Sequence, residues 1–181
     1  MQAIDCATTV DLVPREFQIR TATIADASII GWHRARMFQD MGYVPANLFE
    51  SFRAKSEARL RQALASGEYI GWLASPQATP QQIIAGAGVQ LRQTLPYPVG
   101  KPNEKIAIAD GRQGIVLNVF TEPEWRRRGL ARLLMEEIIA WASQQRLDTL
   151  ALHASDNGLH LYEELGFVRT SEMELREHLT T

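Results

Sequence analysis

The sequence predicts a single domain of the mixed α/β class. Helical and strand-like segments alternate along the chain. A nearly continuous apolar run, "GIVLNVFTEP" from Gly114, marks a strand buried on both faces. The most strongly amphipathic stretch, Gly129 to Arg146, follows it after one short turn. With 181 residues the chain can bury one full core, and no linker or second core divides it.

The elements can be justified in order. Residues 1–16 show no periodicity and are expected to be flexible, leaving 17–181 as the domain. "FQIRTATI" from Phe17 is β-branched and alternating, hence a strand. Thr23 and Asp26 form a capping-box start to a helix with Ile30, His33, Met37 and Met41 along one stripe, ended by Gly42. A second helix from Asn47 places Leu48, Phe52, Leu60 and Leu64 near helical spacing and closes at Gly67. "YIGWLAS" and "QIIAGAGVQLRQT" read as strands. "LPYPVGKPNEKIAIADGRQ" is a Pro- and Gly-containing flap. After the central strand and its helix come a buried strand, "TLALHAS", a short helix in "DNGLHLYEELGF", and a last strand, "FVRTSEMEL". The predicted order is β-α-α-β-β-β-α-β-α-β.

Composition narrows the function. A formal net charge of −2 argues against a general nucleic-acid or membrane-surface binder. Cys6 is the single cysteine, so no intrachain disulfide and no cysteine-based metal site can form, and the scattered histidines suggest no metal site. His160 and His178 read as exposed. The first residues carry Asp5 and Asp11 without a sustained apolar run, which does not resemble a signal peptide. No apolar stretch approaches the roughly 20 residues of a membrane span. A cytoplasmic location is the expectation.

The turn after the central strand carries the chemistry. A buried strand that passes through a short loop into a helix presents free backbone N–H groups and the positive end of the helix dipole. That arrangement binds phosphate. Gly129 and Ala131 are small enough for the main chain to approach an anion, and Arg126, Arg127 and Arg128 add positive charge. A basic surface turn without function is the plain alternative. A bound anion, however, gives arginines a reason to stand where the helix dipole disfavours them.

Arg126-x-x-Gly129-x-Ala131 matches the R/Q-x-x-G-x-G/A signature of the GCN5-related N-acetyltransferases (the GNAT superfamily), and "SDNGLHLYEELGF" resembles that family's second signature. With the element order, the resemblance covers the chain from about Phe17. It implies a central mixed, mostly antiparallel sheet flanked by helices, with splayed central strands holding acetyl-CoA as acyl donor. By the same resemblance, the N–H groups of Arg127, Arg128, Gly129, Leu130 and Ala131 would cradle the pyrophosphate, with Arg126 opening the motif. A bulged stretch at Val119, Phe120 and Thr121 would pair with the pantetheine arm. Tyr162 would protonate the leaving thiolate; the alternative for Tyr162 is an amphipathic core tyrosine.

Two positions depart from the family's pattern. Ser155 stands where many members have an asparagine on the pantetheine arm. Asn118 stands where many have a glutamate as general base, and an amide cannot take a proton from an ammonium group. A base, if one is needed, must then lie elsewhere or be water alone; the candidates are His33 on the first helix, Glu122 at the end of the central strand, and His153 at the end of the neighbouring strand. Glu122 shares the side-chain parity of Asn118 unless a bulge resets it.

The resulting expectation is direct transfer of an acetyl group from acetyl-CoA to a primary amine of a small molecule or peptide. Trp32, Arg36, Phe38, Met41, Tyr43 and Phe49 would shape the acceptor pocket, with Arg36 suited to a carboxylate; the same aromatic residues also suit a core. An acyl-CoA-holding sensor or scaffold is the alternative, favoured by Asn118 and opposed by Tyr162. A nucleic-acid contact through the three arginines is disfavoured by the charge balance. A homodimer is left open.

Overall fold

The computed structural model describes residues 16–100 and 106–173. Cys6, His178 and the flexible-segment expectation for the first fifteen residues lie outside the described residues.

A five-stranded sheet in the order β1-β2-β3-β6-β7 forms the centre. Its strands are β1 (Phe17–Thr21), β2 (Tyr69–Pro76), β3 (Ala85–Gln93), β6 (Arg112–Thr121) and β7 (Thr149–Leu152). Every pairing is antiparallel except β6 with β7, which is parallel. The sheet is thus mixed and mostly antiparallel, as the sequence predicts. The flap folds into a small separate ribbon of β4 (Tyr97–Val99) and β5 (Ala107–Ala109). The Tyr97 hydroxyl hydrogen-bonds the Thr149 hydroxyl, which ties the ribbon to the start of β7.

Alternation along the strands feeds two cores. Trp72, Ala74, Val89 and Val116 pack with Leu130, Leu134, Met135 and Ile138 of α3 (Leu130–Gln144). Tyr69 and Leu73 face the other way, onto Ile30 of α1 (Ala27–Asp40) and Leu60 and Ala63 of α2 (Phe49–Ser66). Leu134, Met135 and Ile138 are sealed from solvent, so truncating any one to alanine would cost about 2–5 kcal/mol.

The capping box at Thr23 and Asp26 is present, and Asp26 also binds Arg20 through two hydrogen bonds of 2.9 and 2.7 Å. Gly67 closes α2 in the left-handed conformation with φ 73°. Leu48 falls in a 3-10 turn that precedes α2 and is exposed, so the buried face of α2 begins at Phe49 and not at Leu48.

Two strand expectations need correction. β7 ends at Leu152 and is half-buried, because it is an edge strand with a neighbour on one side only. It therefore stops before His153. The segment 167–173 forms no strand: after α4 (Leu159–Glu164), Phe167 donates its N–H back to the Tyr162 carbonyl, and Val168 and Met173 are exposed. The apolar alternation there meets no strand partner among the described residues.

Candidate active site

The parallel ladder between β6 and β7 runs from Gln113 opposite Thr149 to Val116 opposite Leu152, and then stops. β6 continues to Thr121 with its edge open on that side. On the other side it stays paired to β3 through a bulge. Gly88 stands opposite Leu117 and Gly86 opposite Phe120, so Asn118 and Val119 share the single partner position of Ala87. The resemblance implies a bulged stretch at Val119–Thr121; the structure places the bulge at Asn118 and Val119.

Asn118 sits at φ 59°, a left-handed value that asparagine tolerates better than most residues. Its side chain is buried and fully engaged. Its Oδ1 accepts a 2.7 Å hydrogen bond from Arg34 Nη1, and its Nδ2 donates to the Tyr69 hydroxyl at 3.1 Å. Tyr69 is itself buried, and desolvation pushes its phenol up to about 12. Asn118 is therefore a bulge residue that locks β6 to α1, which gives a structural reason for an amide at this place.

The bulge precedes Phe120 and Glu122, so 118, 120 and 122 keep one parity and all face α1. His33 stacks on Phe120 with ring centroids 5.0 Å apart, and its Nε2 lies 3.5 Å from Glu122 Oε1. That separation suits a charge contact and is long for a hydrogen bond, and neither ring nitrogen has a hydrogen-bond partner among the described residues. Nδ1 lies against Gly86, where a Cβ would come within 3.3 Å. His33 is 1% exposed, whereas the Glu122 side chain is 21% exposed. The contact with His33, helped by Trp32 and Arg36, holds the Glu122 carboxyl below the ordinary carboxylate range against the opposing effect of burial. Two of the three candidate bases thus form one pair, of which Glu122 is the member a ligand can reach.

His153 is exposed just beyond β7 and pairs with neither. Ser155 is also exposed; its carbonyl accepts the N–H groups of Gly158 and Leu159 as α4 begins. Tyr162 folds its ring over Gly158, packs edge-on against Phe167 at 6.1 Å, and is held above its ordinary pKa by burial. Arg132 of α3 forms an ion pair with Glu164, which fixes α4 against the start of α3.

The turn after β6 has the form an anion needs. Arg127 (φ 65°) and Gly129 (φ 79°) are both left-handed, and Gly129 caps α3 without a side-chain hydrogen bond. Successive residues that alternate in handedness aim their N–H groups into one concavity. The first donation into α3 comes from Leu133 to the Gly129 carbonyl, so the N–H groups of Leu130, Ala131 and Arg132 have no place in the helix ladder. Nothing lies within 4 Å of a Cβ built on Gly129, so this main chain faces open space.

The three arginines divide their work. Arg126 donates from Nε to the Thr121 carbonyl at 3.0 Å and from Nη2 to Asp40 at 2.5 Å, clasping the end of β6 to the end of α1. Arg128 lies over the Trp125 ring at 4.7 Å, with Nη1 3.5 Å from Glu16. Arg127 is exposed. No group of three or more His, Cys, Asp or Glu among the described residues is placed to hold a metal ion. No helix among them is long and apolar enough to cross a membrane.

A parallel strand pair that splays beside a bulge and leads into a turn of free N–H groups defines the class: this is the fold of the GCN5-related N-acetyltransferases. Residues 105–181 match the family model described as "Acetyltransferase (GNAT) domain". A GCN5-related N-acetyltransferase from Ralstonia eutropha JMP134 is similar at 26% identity over 88% of this chain and 97% of that one, with a TM-score of 0.74. A predicted acetyltransferase with acetyl-CoA from Clostridium acetobutylicum is similar at 26% identity over 90% and 99%, with a TM-score of 0.71. An aminoglycoside N-acetyltransferase in complex with CoA shares the fold at 18% identity over 93% and 99%, with a TM-score of 0.62. No curated protein matches the chain. The fold is that of these acetyltransferases, and the C-terminal part of the chain, residues 105–181, matches their family model.

Arg34 and Tyr69 were not legible as site residues. Nothing in the sequence separates a half-buried Arg34 from a solvated one, and Tyr69 reads as an ordinary strand aromatic.

Proposed function

We propose that the protein transfers the acetyl group of acetyl-CoA to a primary amine by direct attack. The observation that carries this reading is the continuity between the open edge of β6, Leu117–Thr121, and the N–H-lined turn at Arg127–Arg132. A diphosphate on the turn and an extended pantetheine arm along the open edge would be served by one contiguous stretch of main chain.

Glu122 is ionised at neutral pH and exposed enough to receive an ammonium group, and His33 holds it from behind. Glu122 takes the proton of the amine, whose nitrogen then attacks the thioester carbonyl carbon. A C–N bond forms and the C–S bond breaks. Strand N–H groups beside the bulge polarise the carbonyl oxygen. Tyr162, kept protonated by burial, supplies a proton to the departing sulfur, and the second proton shed by the acylated nitrogen restores the Tyr162 phenol through solvent.

The test is CoA release from acetyl-CoA across polyamines, aminoglycosides, amino acids and short peptides, for the wild type and Tyr162→Phe. Turnover with one acceptor class, slowed about 100-fold in the variant with unchanged acetyl-CoA affinity, supports the reading. Failure to bind acetyl-CoA would overturn it.

A further inference from the structure

Arg34 is a half-buried cation with no acidic partner. Arg20, Arg36, Arg53, Arg59, Arg61, Arg126, Arg128, Arg132 and Arg169 all reach a carboxylate within 4 Å. Arg34 reaches none among the described residues; Arg92, Arg112, Arg127 and Arg146 have no such partner there either, but all four are exposed. Its one hydrogen bond among the described residues is Nη1 to the neutral Asn118 amide oxygen. Its guanidinium lies 4.9 Å from the Phe38 ring centroid and 5.9 Å from that of Phe52. Burial pulls its proton affinity down, opposed by the Tyr69 hydroxyl that shares the Asn118 amide with it.

A guanidinium carries five N–H donors in a planar fork. One is spent on Asn118. The remaining nitrogens are not sealed, since His33 alone has buried side-chain nitrogens without partners among the described residues. The two phenyl rings fix the fork and lower the local dielectric, and the Asn118 bond fixes its rotation. That is a rigid positive group with spare donors, set against the bulge residue beside the open edge of β6. Arg36, which the sequence singles out for a carboxylate, is already engaged with Asp40 and Gln39.

We propose that Arg34 binds an oxyanion, a carboxylate or phosphate, carried by the amine acceptor, so that the substrate is an anionic amine with its amino group directed to Glu122. The assignment rests on the acyltransfer reading above and narrows it. The aromatic contacts favour a planar fork over a point charge, so lysine is a poor substitute at this position.

The experiment compares matched acceptors that differ only in the anion: amino acids against their amides, and phosphoethanolamine against ethanolamine. Wild type, Arg34→Gln and Arg34→Lys are assayed for CoA release. The wild type is expected to favour the anionic member of a pair by about 10- to 100-fold in kcat/KM. Arg34→Gln should erase that preference, lowering kcat/KM at least about tenfold more for the anionic member than for the neutral one; Arg34→Lys should recover only part of it. Which pair shows the larger preference tells carboxylate from phosphate. A wild type that prefers neutral acceptors, or an Arg34→Gln variant that loses activity equally on both members, overturns the proposal. If Arg34→Gln fails to fold, the wild-type comparison alone decides.

A calorimetric titration of the same amines into CoA-saturated protein separates the two readings. Anion-dependent binding without turnover upholds Arg34 and removes the acyltransfer reading. Turnover indifferent to the anion does the reverse.

Discussion

His33 Nε2 lies 3.5 Å from Glu122 Oε1, so a fully buried imidazole stands behind a carboxylate that solvent can reach. The pair joins the middle of α1 to the residue just past β6. A group that holds its partner's pKa down also keeps that partner charged, and a charged Glu122 at neutral pH can receive an ammonium acceptor.

Glu122→Gln removes the charge and keeps the shape. It is expected to lower kcat/KM for the acceptor about 100-fold while leaving acetyl-CoA affinity unchanged. Steady-state kinetics with the two substrates varied in turn checks this; full activity in the variant would exclude Glu122 as the proton acceptor.

The Gly129 main chain faces open space at φ 79°, so a side chain there strains the turn and enters that space. Gly129→Val is expected to cost about 1 kcal/mol in stability and at least about tenfold in acetyl-CoA affinity, as one charge-assisted phosphate contact is lost. Denaturant melts and calorimetric titration read the two effects separately. An affinity equal to that of the wild type would remove the phosphate role of the turn.

A Cβ on Gly88 would come 2.1 Å from the Tyr69 hydroxyl oxygen and 2.2 Å from its ring carbon. Neither can yield, because the ring is buried between β2 and the α1–α2 layer. Gly88→Ala is expected to destabilise by about 3 kcal/mol through overpacking and to disturb Asn118 through its bond to Tyr69. Urea melting would measure the loss.

Asp26 is held down to about 2 by hydrogen bonds from Arg20 and Thr23, against an ordinary value of 3.8. A lowered folded-state pKa gives stability that is present above the ordinary value and lost as pH falls through the folded one. Wild type should therefore lose about 1 kcal/mol between pH 4 and pH 2 relative to Asp26→Asn, the magnitude discounted for solvent screening around the partly exposed Arg20. Parallel urea melts at these pH values test it.

Much of the fold was legible because periodicity is local. The run from Gly114, the stripe of α3 and the caps at Thr23, Asp26 and Gly67 each depend on residues a few positions apart. β7 and the final strand were overextended because a strand exists only where a partner pairs with it, and pairing is decided by residues far away in the chain. The same reason explains the bulge. Asn118 looks like an ordinary member of an apolar strand until Gly86 and Gly88 of β3 set its register.

The candidate site divides along the same line. Arg126, Gly129, Ala131 and Tyr162 stand in short motifs, so their order alone carries the resemblance to the two family signatures. Spacing could not tell which histidine meets Glu122, because His33 and Glu122 are brought together only when α1 packs across β6. Nor could it distinguish Arg34 from the chain's other arginines, since a missing counter-charge is a property of the surroundings. The sequence by itself determined the order of elements, the apolar faces and the turn that presents its N–H groups, since these follow from backbone geometry and near neighbours. Only the tertiary structure decided where β6 and β7 part, which carboxylate gains an imidazole and which guanidinium is half-buried without a carboxylate, because burial and charge pairing depend on side chains that approach from distant segments.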